Sequence, residues 1–364
     1  MACRRMVRCA KMIAKGGGGL DSKPSTGPLR IAQVNDIAAV GSTLARCMTE
    51  LGHQASLVEP RRLATRLHYP WKIASLPFRA AGILAAGASL RRGRFDVVHV
   101  HFARLGMLGA MSGRPYTLHL HGTDIRGVRP DSWWGRETAP FLRQARLVYY
   151  STPDLRPWVE TFRSDAILLP NPIETDRFRP LAADDPARAV RRDLLVGTRL
   201  TPIKGLATIL EVLRLLAIER PAMTITIVDQ GEGVAAALAA AGPNATVVPK
   251  ISRAELPNVM RQHRLALGQF RLGIVSNFEL EALASGVPVI MRFDPTEAYA
   301  APPPLASAAS AEEAATRIGD LLDDEEARDE LARLASAWVE ANHAATVVAA
   351  RVIDDYRRTG QTPG

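Results

Sequence analysis

The stretch LLVGTRLTPIKG, Leu194 to Gly205, runs from three apolar residues through Gly197 into a helical run beginning near Gly205. An apolar strand that empties through a glycine turn into a helix is the opening unit of a doubly wound α/β sheet, and ligands bind where such strands end. Arg199 and Lys204 lie on the turn. Two fixed cations there can neutralise a diphosphate, whereas an isolated pair would be solvated loop charges. The neighbouring sequence decides between these readings.

Downstream the same grammar repeats. Leu206–Leu216 has helical spacing, Met223–Val228 reads as a strand, and RLALGQF and VPVIMRF are two more strands around the helix VSNFELEALASG. Ser276 and Glu279 have capping-box spacing, which sets a helix start at about Asn277 and gives Glu279 a structural task. The amide groups of that helix start favour an anion. Glu281, two positions on, points to another side of the helix. Ser252 and Glu255 show the same spacing and predict a second capped helix over SRAELPNVMRQ. From Ala308 to Arg358 the pattern is helical, and its acidic residues read as a solvated face.

Upstream, a first α/β series starts at Leu29. LRIAQV is a strand, NDIAAVGS a loop, STLARCMTELG a helix and HQASLVEP a second strand. Gly41 stands at the loop-to-helix junction, where a missing side chain lets backbone amides approach a ligand; a plain tight turn accounts for it equally well. FDVVHVHF and PYTLHLHGTD are buried strands. His119 and His121 alternate with leucines and so share a face. His121, followed by Gly122, Thr123 and Asp124, sits at the strand end and is the functional candidate; His119 is read as structural. A charged, proline-punctuated run from Glu174 to Arg192 reads as an interdomain connector.

At 364 residues and 47% hydrophobic content the chain has room for two core-forming domains. The expected division is a flexible basic tail over 1–28, an N-terminal unit over 29–175 and a C-terminal unit over 176–344, with a helix of about 345–360 packing back on the first. A net charge of +9 points to an anionic partner. Between Arg61 and Phe95 there is no acid, and arginines alternate with Tyr69, Trp71, Phe78 and Leu84. That pattern fits an anionic membrane surface, or apolar packing on the sheet with solubilising arginines. Aromatic platforms are too few for nucleic acid to lead. Cys3, Cys9 and Cys47 form no CxxC, and no zinc ligand spacing or other metal site is read, so a reducing cytosol is expected. No apolar run is long enough to span a bilayer, and the N-terminus lacks the apolar core of a secretory signal.

Several ordered motifs together resemble the retaining glycosyltransferases with two Rossmann-like domains, the group 1 family (glycosyltransferase family 4). VGTRLTPIKG is similar to that family's donor-diphosphate motif, LLPNPIETDRFRP to its interdomain segment, ELEALASGVPVI to its nucleotide-holding helix and strand, and LHGTD to the strand end bearing its active-site histidine. The resemblance implies two Rossmann-like domains facing each other across a cleft (GT-B architecture) and retaining sugar transfer from a nucleotide-sugar without a metal or other cofactor. The acceptor would be a glycan or a lipid-linked compound, with the protein cytoplasmic or peripheral on the cytoplasmic membrane face. It assigns Arg199 and Lys204 to the leaving diphosphate, His121 to the sugar site, and Gly41, Asp124, Ser276, Asn277 and Glu281 to substrate binding, Glu281 at the ribose hydroxyls. One departure stands out. The family commonly has a second glutamate eight positions before the position of Glu281, contacting the transferred sugar; here that position is Gly273. A non-catalytic nucleotide-sugar-binding relative and a sugar-nucleotide epimerase stay open as alternatives. A dinucleotide oxidoreductase is disfavoured, because no GxGxxG follows either first strand.

Overall fold

The computed structural model describes residues 27–60, 76–296 and 298–360. All but the last two residues of the expected tail, and the first part of the basic stretch (Arg61, Arg62, Arg66, Tyr69, Trp71 and Lys72), lie outside the described residues. The first half of the chain builds strands β1 (Arg30–Val34), β2 (Gln54–Val58), β3 (Val97–His101), β4 (Tyr116–Leu120), β5 (Leu147–Tyr150) and β6 (Ile167–Leu168). Between them lie helices α1 (Val40–Glu50), α2 (Leu76–Arg92), α3 (Gly106–Met111), α4 (Trp133–Gln144) and α5 (Arg156–Glu160). The sheet order is β2-β1-β3-β4-β5-β6 and every pairing is parallel. Its direction of growth reverses between β1 and β3, which is where a crevice opens at the strands' carboxyl ends.

The second half builds β7 (Arg192–Val196), α6 (Leu206–Glu219), β8 (Ile225–Val228), α7 (Val234–Ala240), β9 (Ala245–Val248), α8 (Leu256–Arg261), β10 (His263–Leu267), α9 (Asn277–Ala284), β11 (Val289–Met291) and β12 (Ala306–Ser307). Three helices end the chain: α10 (Ala311–Asp323), α11 (Glu325–His343) and α12 (Ala345–Arg358). The order β12-β11-β10-β7-β8-β9, again all parallel, is the dinucleotide-fold order 3-2-1-4-5-6 read from the other edge. Its switch point falls between β7 and β10, so the turn after β7 and the segment leading into α9 share one crevice. The expected class, two doubly wound α/β units, holds.

Each sheet is buried on both faces, as parallel sheets require. One face of the first carries Val98, Val100, Leu118 and Leu120 under Leu90, Leu108 and Leu142. The other packs Leu29, Ile31, Val97 and Tyr149 against Val40, Leu44 and Met48 of α1 and Val348, Val352 and Tyr356 of α12. The last helix therefore returns to the first sheet. The two crossings between halves lie side by side: Ile173 N donates to His343 O (2.7 Å) and Ala345 N to Ile173 O (2.8 Å).

One local expectation changes. The Ser252–Glu255 pair forms, with Glu255 N donating to Ser252 Oγ at 3.3 Å, yet α8 begins only at Leu256. Pro257 supplies no N–H, so residues 252–255 close as a turn and the helix starts after it.

Candidate functional site

At the second switch point, β7 delivers the chain to Gly197, against which the ring of Phe278 from α9 packs; a Cβ at Gly197 would lie 2.2 Å from that ring. The turn then passes Arg199, which is exposed and makes no ion pair with a described residue. A short 3₁₀ turn, Pro202–Lys204, follows, and Gly205 takes φ +84 before α6 starts. That left-handed step suits glycine, and a side chain there would meet Phe270 at 2.9 Å. Lys204 is turned across the crevice, its Nζ donating to Ser276 Oγ at 3.0 Å.

Ser276 is the N-cap of α9, in a reciprocal capping box with Glu279. Ser276 N donates to one Glu279 oxygen (3.0 Å) and Gln269 N to the other (3.2 Å), so Glu279 is consumed structurally. Asn277 reaches the opposite half, with Nδ2 3.5 Å from Ala38 O in the loop after β1. Glu281 is 4% exposed and accepts from Arg253 Nη1 at 2.6 Å. Burial pushes its carboxyl above the ordinary range, and the Arg253 charge opposes that shift. Its second oxygen has no hydrogen bond to a described residue. Motif reading missed Arg253, which also bonds Glu174 (3.1 Å), itself paired with Arg46 of α1 (3.1 Å). No local pattern marks Arg253, because its partners lie 28 and 79 residues away in sequence.

Across from α9, the ends of β1 and β3 carry backbone strain. Asn35, Ala38, Ala39 and Phe102 are the described non-glycine residues with positive φ, and all four leave those two strands. Such residues persist where the surroundings over-determine them, commonly at ligand sites. Gly41 is buried, and a Cβ there would sit 2.7 Å from Asn35 O and 3.3 Å from the His101 ring. That packing accounts for the glycine without a ligand. Asp124 is likewise occupied: its oxygens accept from Ala103 N and His121 N, both 2.9 Å, fastening the ends of β3 and β4 together.

His121 emerges just past β4, partly exposed. Register pairs His101 with His119, and alternation puts His99, His101, His119 and His121 on one sheet face, with adjacent rings 4.2–5.4 Å apart. Burial lowers every one of their pKa values, His99 to about 3, and the neighbouring imidazoles add to the effect. All four are neutral at physiological pH. One nitrogen each from His99, His101 and His119 falls within 4.8 Å of the others, close enough to consider a metal. Both nitrogens of His101 are already engaged, with His121 (3.0 Å) and Gln33 (2.8 Å), whereas His99 Nε2 and both nitrogens of His119 have no hydrogen-bond partner among the described residues. Next to Phe102 opens a cavity of about 490 Å³ lined by Ile83, Leu105, Met107 and Phe141, with Arg79 and Arg104 among its walls.

Residues 39–177 match the family model described as Glycosyltransferase Family 4. No curated protein sequence matches. Solved structures of similar fold include a sucrose-phosphate synthase from Thermosynechococcus elongatus, 16% identical, with 91% of this chain and 98% of that one covered at a TM-score of 0.66. Anabaena HepE in complex with UDP and glucose is 12% identical, covering 91% and 100% at 0.62. A candidate UDP-N-acetylglucosamine 2-epimerase from Listeria monocytogenes is 14% identical, covering 93% and 98% at 0.61. At these identities the likeness is one of fold. The resemblance to group 1, family 4 glycosyltransferases is thus borne out by a sequence match within the first half and by the fold of both.

Proposed function

We propose that this chain is a retaining glycosyltransferase that moves a sugar from a nucleotide-sugar donor to an acceptor hydroxyl, with residues 176–344 as the donor unit and 29–175 as the acceptor-side unit. The observation that carries the reading is Lys204 bonded to the N-cap of α9 beside Arg199, which has no ion-pair partner among the described residues, at the switch point of a sheet with dinucleotide-fold order. Two cations and a helix N-terminus converge there, which is the charge arrangement a departing nucleoside diphosphate needs. Glu281, with one oxygen on Arg253, keeps the other for ribose hydroxyls. Anabaena HepE, of similar fold, was solved with UDP and glucose bound, which supports a nucleotide-sugar as the donor class.

In the reaction proposed, the bond from the anomeric carbon to the diphosphate oxygen breaks while the acceptor oxygen bonds to that carbon from the same face. The acceptor's proton passes to the leaving phosphate oxygen. Arg199 and Lys204 stabilise the charge on that leaving group, a task that calls for no metal. His121, neutral in its buried cluster, serves by hydrogen bonding and not as an acid. Gly273 takes φ +65, and a Cβ on it would lie 2.2 Å from Asp294 Oδ2. An acid from the segment after β11 therefore abuts the position where the family resemblance expects a glutamate, and we assign the sugar contact to Asp294.

For the acceptor we infer an apolar portion. The cavity beside Phe102 lies on the acceptor side, Arg104 stacks 3.8 Å over the exposed Trp134, and Phe78 and Trp133 are 65% and 61% exposed nearby in sequence. Exposed aromatics among arginines suit an anionic lipid surface. Among the described residues no helix is long and apolar enough to cross a membrane. Incubation of the protein with anomerically ¹³C-labelled nucleotide-sugars and an acceptor panel that includes lipid phosphates tests the reaction. Transfer with the donor's anomeric configuration is expected. Isomerised nucleotide-sugar alone would establish the epimerase reading that the Listeria fold neighbour favours.

A further inference from the structure

His121 ends a connected series of buried polar groups whose hydrogen bonds have a direction. We infer that the series Tyr356–Gln33–His101 holds His121 as the tautomer protonated on Nε2, leaving Nδ1 as a fixed acceptor for a hydroxyl of the transferred sugar; this last step rests on the glycosyl-transfer reading. Gln33 and His101 are then positioning residues.

The direction starts at Gln33, fully buried in β1. Its amide nitrogen lies 3.4 Å from Met48 Sδ and faces the Tyr356 oxygen, whose proton is turned to His99 Nδ1. Its Oε1 is 2.8 Å from His101 Nε2. An amide oxygen only accepts, so His101 Nε2 carries the proton. Turning the amide over would set its oxygen against the thioether sulfur and against a phenol oxygen whose proton is engaged by His99, so the Met48 and Tyr356 contacts together orient it. A neutral imidazole has one N–H, which leaves a lone pair on His101 Nδ1. That nitrogen is 3.0 Å from His121 Nε2, and the only remaining donor for this bond is His121 itself. The proton of His121 is thereby placed on Nε2 and its lone pair on Nδ1.

The fit of each member is enforced by the packing around it. Gly41 leaves room for the His101 ring, which a Cβ would approach to 3.3 Å. His121's own backbone is fastened by Asp124, 2.9 Å from its N–H. Apolar residues at 33 and 101 would fill the same core without the risk of unsatisfied buried groups, so a directed polar series here points to a task at its exposed end. A fixed acceptor discriminates sugars sharply, because an analogue lacking the matching hydroxyl leaves it unpaired.

The test is ¹⁵N-histidine NMR on the full chain, reading which ring nitrogen of His121 is protonated. Ligand-free protein is expected to show His121 protonated on Nε2. His101→Phe, which removes the acceptor, should shift the proton to Nδ1 or to a mixture. Gln33→Leu should do the same, whereas Gln33→Glu, which still accepts from His101, should keep the wild-type pattern even if the other two variants fold poorly. Added UDP-glucose should move the Nδ1 resonance of His121. Protonation on Nδ1 in the wild type, or an unchanged pattern in folded His101→Phe, overturns the proposal. So does one equivalent of zinc retained on the His101 ring, since a metal there would take the nitrogen to which His121 donates. UDP-glucose that binds while leaving Nδ1 unmoved overturns the acceptor role. If no nucleotide-sugar binds at all, the glycosyl-transfer reading falls with that role, while the tautomer result still stands.

Discussion

Buried imidazoles stay neutral because the protein interior denies an imidazolium its hydration, and here His99, His101 and His119 share that condition, with His121 at their partly exposed edge. His263 and His343 are each pushed down to about 4 in the same way. In the unfolded chain these rings protonate near pH 6.5, so between that value and their folded-state values the unfolded chain binds more protons. Their contribution is complete above about pH 6.5 and declines as pH falls, by up to about 1.4 kcal/mol per pH unit for each ring. Urea melts from pH 7.5 to 4.5 should therefore lose stability already between pH 6.5 and 5.5, before the carboxylates titrate. A flat profile down to pH 5 would contradict the buried neutral cluster. At Gly273 the positive φ and the adjacent Asp294 predict that Gly273→Ala costs at least ~1 kcal/mol in a urea melt. Asp294→Gly should relieve the steric part of that cost in the double variant; equal losses in single and double variants would show that Asp294 is not the obstacle.

The helix α9 illustrates what an element contributes. Ser276 both caps it and accepts a hydrogen bond from Lys204, so Ser276→Ala should lower stability by about 1 kcal/mol and also weaken UDP binding. Loss of stability with unchanged UDP affinity would separate the cap from the site. This element was legible in advance because Ser276 and Glu279 are three residues apart and the apolar period that follows is local. The strand at Leu194 and the glycine turn after it were legible for the same reason. Cross-strand facts were not. His99 and His101 join His119 and His121 only through the parallel register of β3 with β4, and Arg253 meets Glu281 only once α8 and α9 are packed. Gly41 read equally as an opening for ligand or as a tight turn, and its closeness to Asn35 O and the His101 ring is likewise tertiary. In the proposed acceptor-side unit, Phe78→Ser with Trp133→Ser should reduce sedimentation with phosphatidylglycerol vesicles several-fold. Arg61, Arg62 and Arg66 changed to Glu should do likewise, and unchanged binding in both sets would remove the membrane surface from the account.

At the scale of the molecule, the two sheets are tied by adjacent crossings and by a chain of charges. Arg46 of α1 pairs with Glu174 at the first crossing, Glu174 with Arg253, and Arg253 with Glu281 beside the proposed ribose site. The second crossing sends α12 back onto the first sheet, where Val348, Val352 and Tyr356 cover β1, β3 and β5. A chain ending at Ala344 should consequently lose protease resistance over residues 30–168 while the second sheet stays protected. Full protection of both would show that α12 is dispensable. The proposed function depends on a diphosphate site between β7 and α9. A thermal-shift panel of UDP, GDP and ADP sugars on wild type and Lys204→Ala measures that site directly. The account predicts that at least one nucleotide-sugar raises the wild-type melting temperature in a concentration-dependent way, with the shift abolished or halved in a variant that melts normally by itself. Equal shifts in the two proteins, or no shift of the wild type by any of the three, would contradict it.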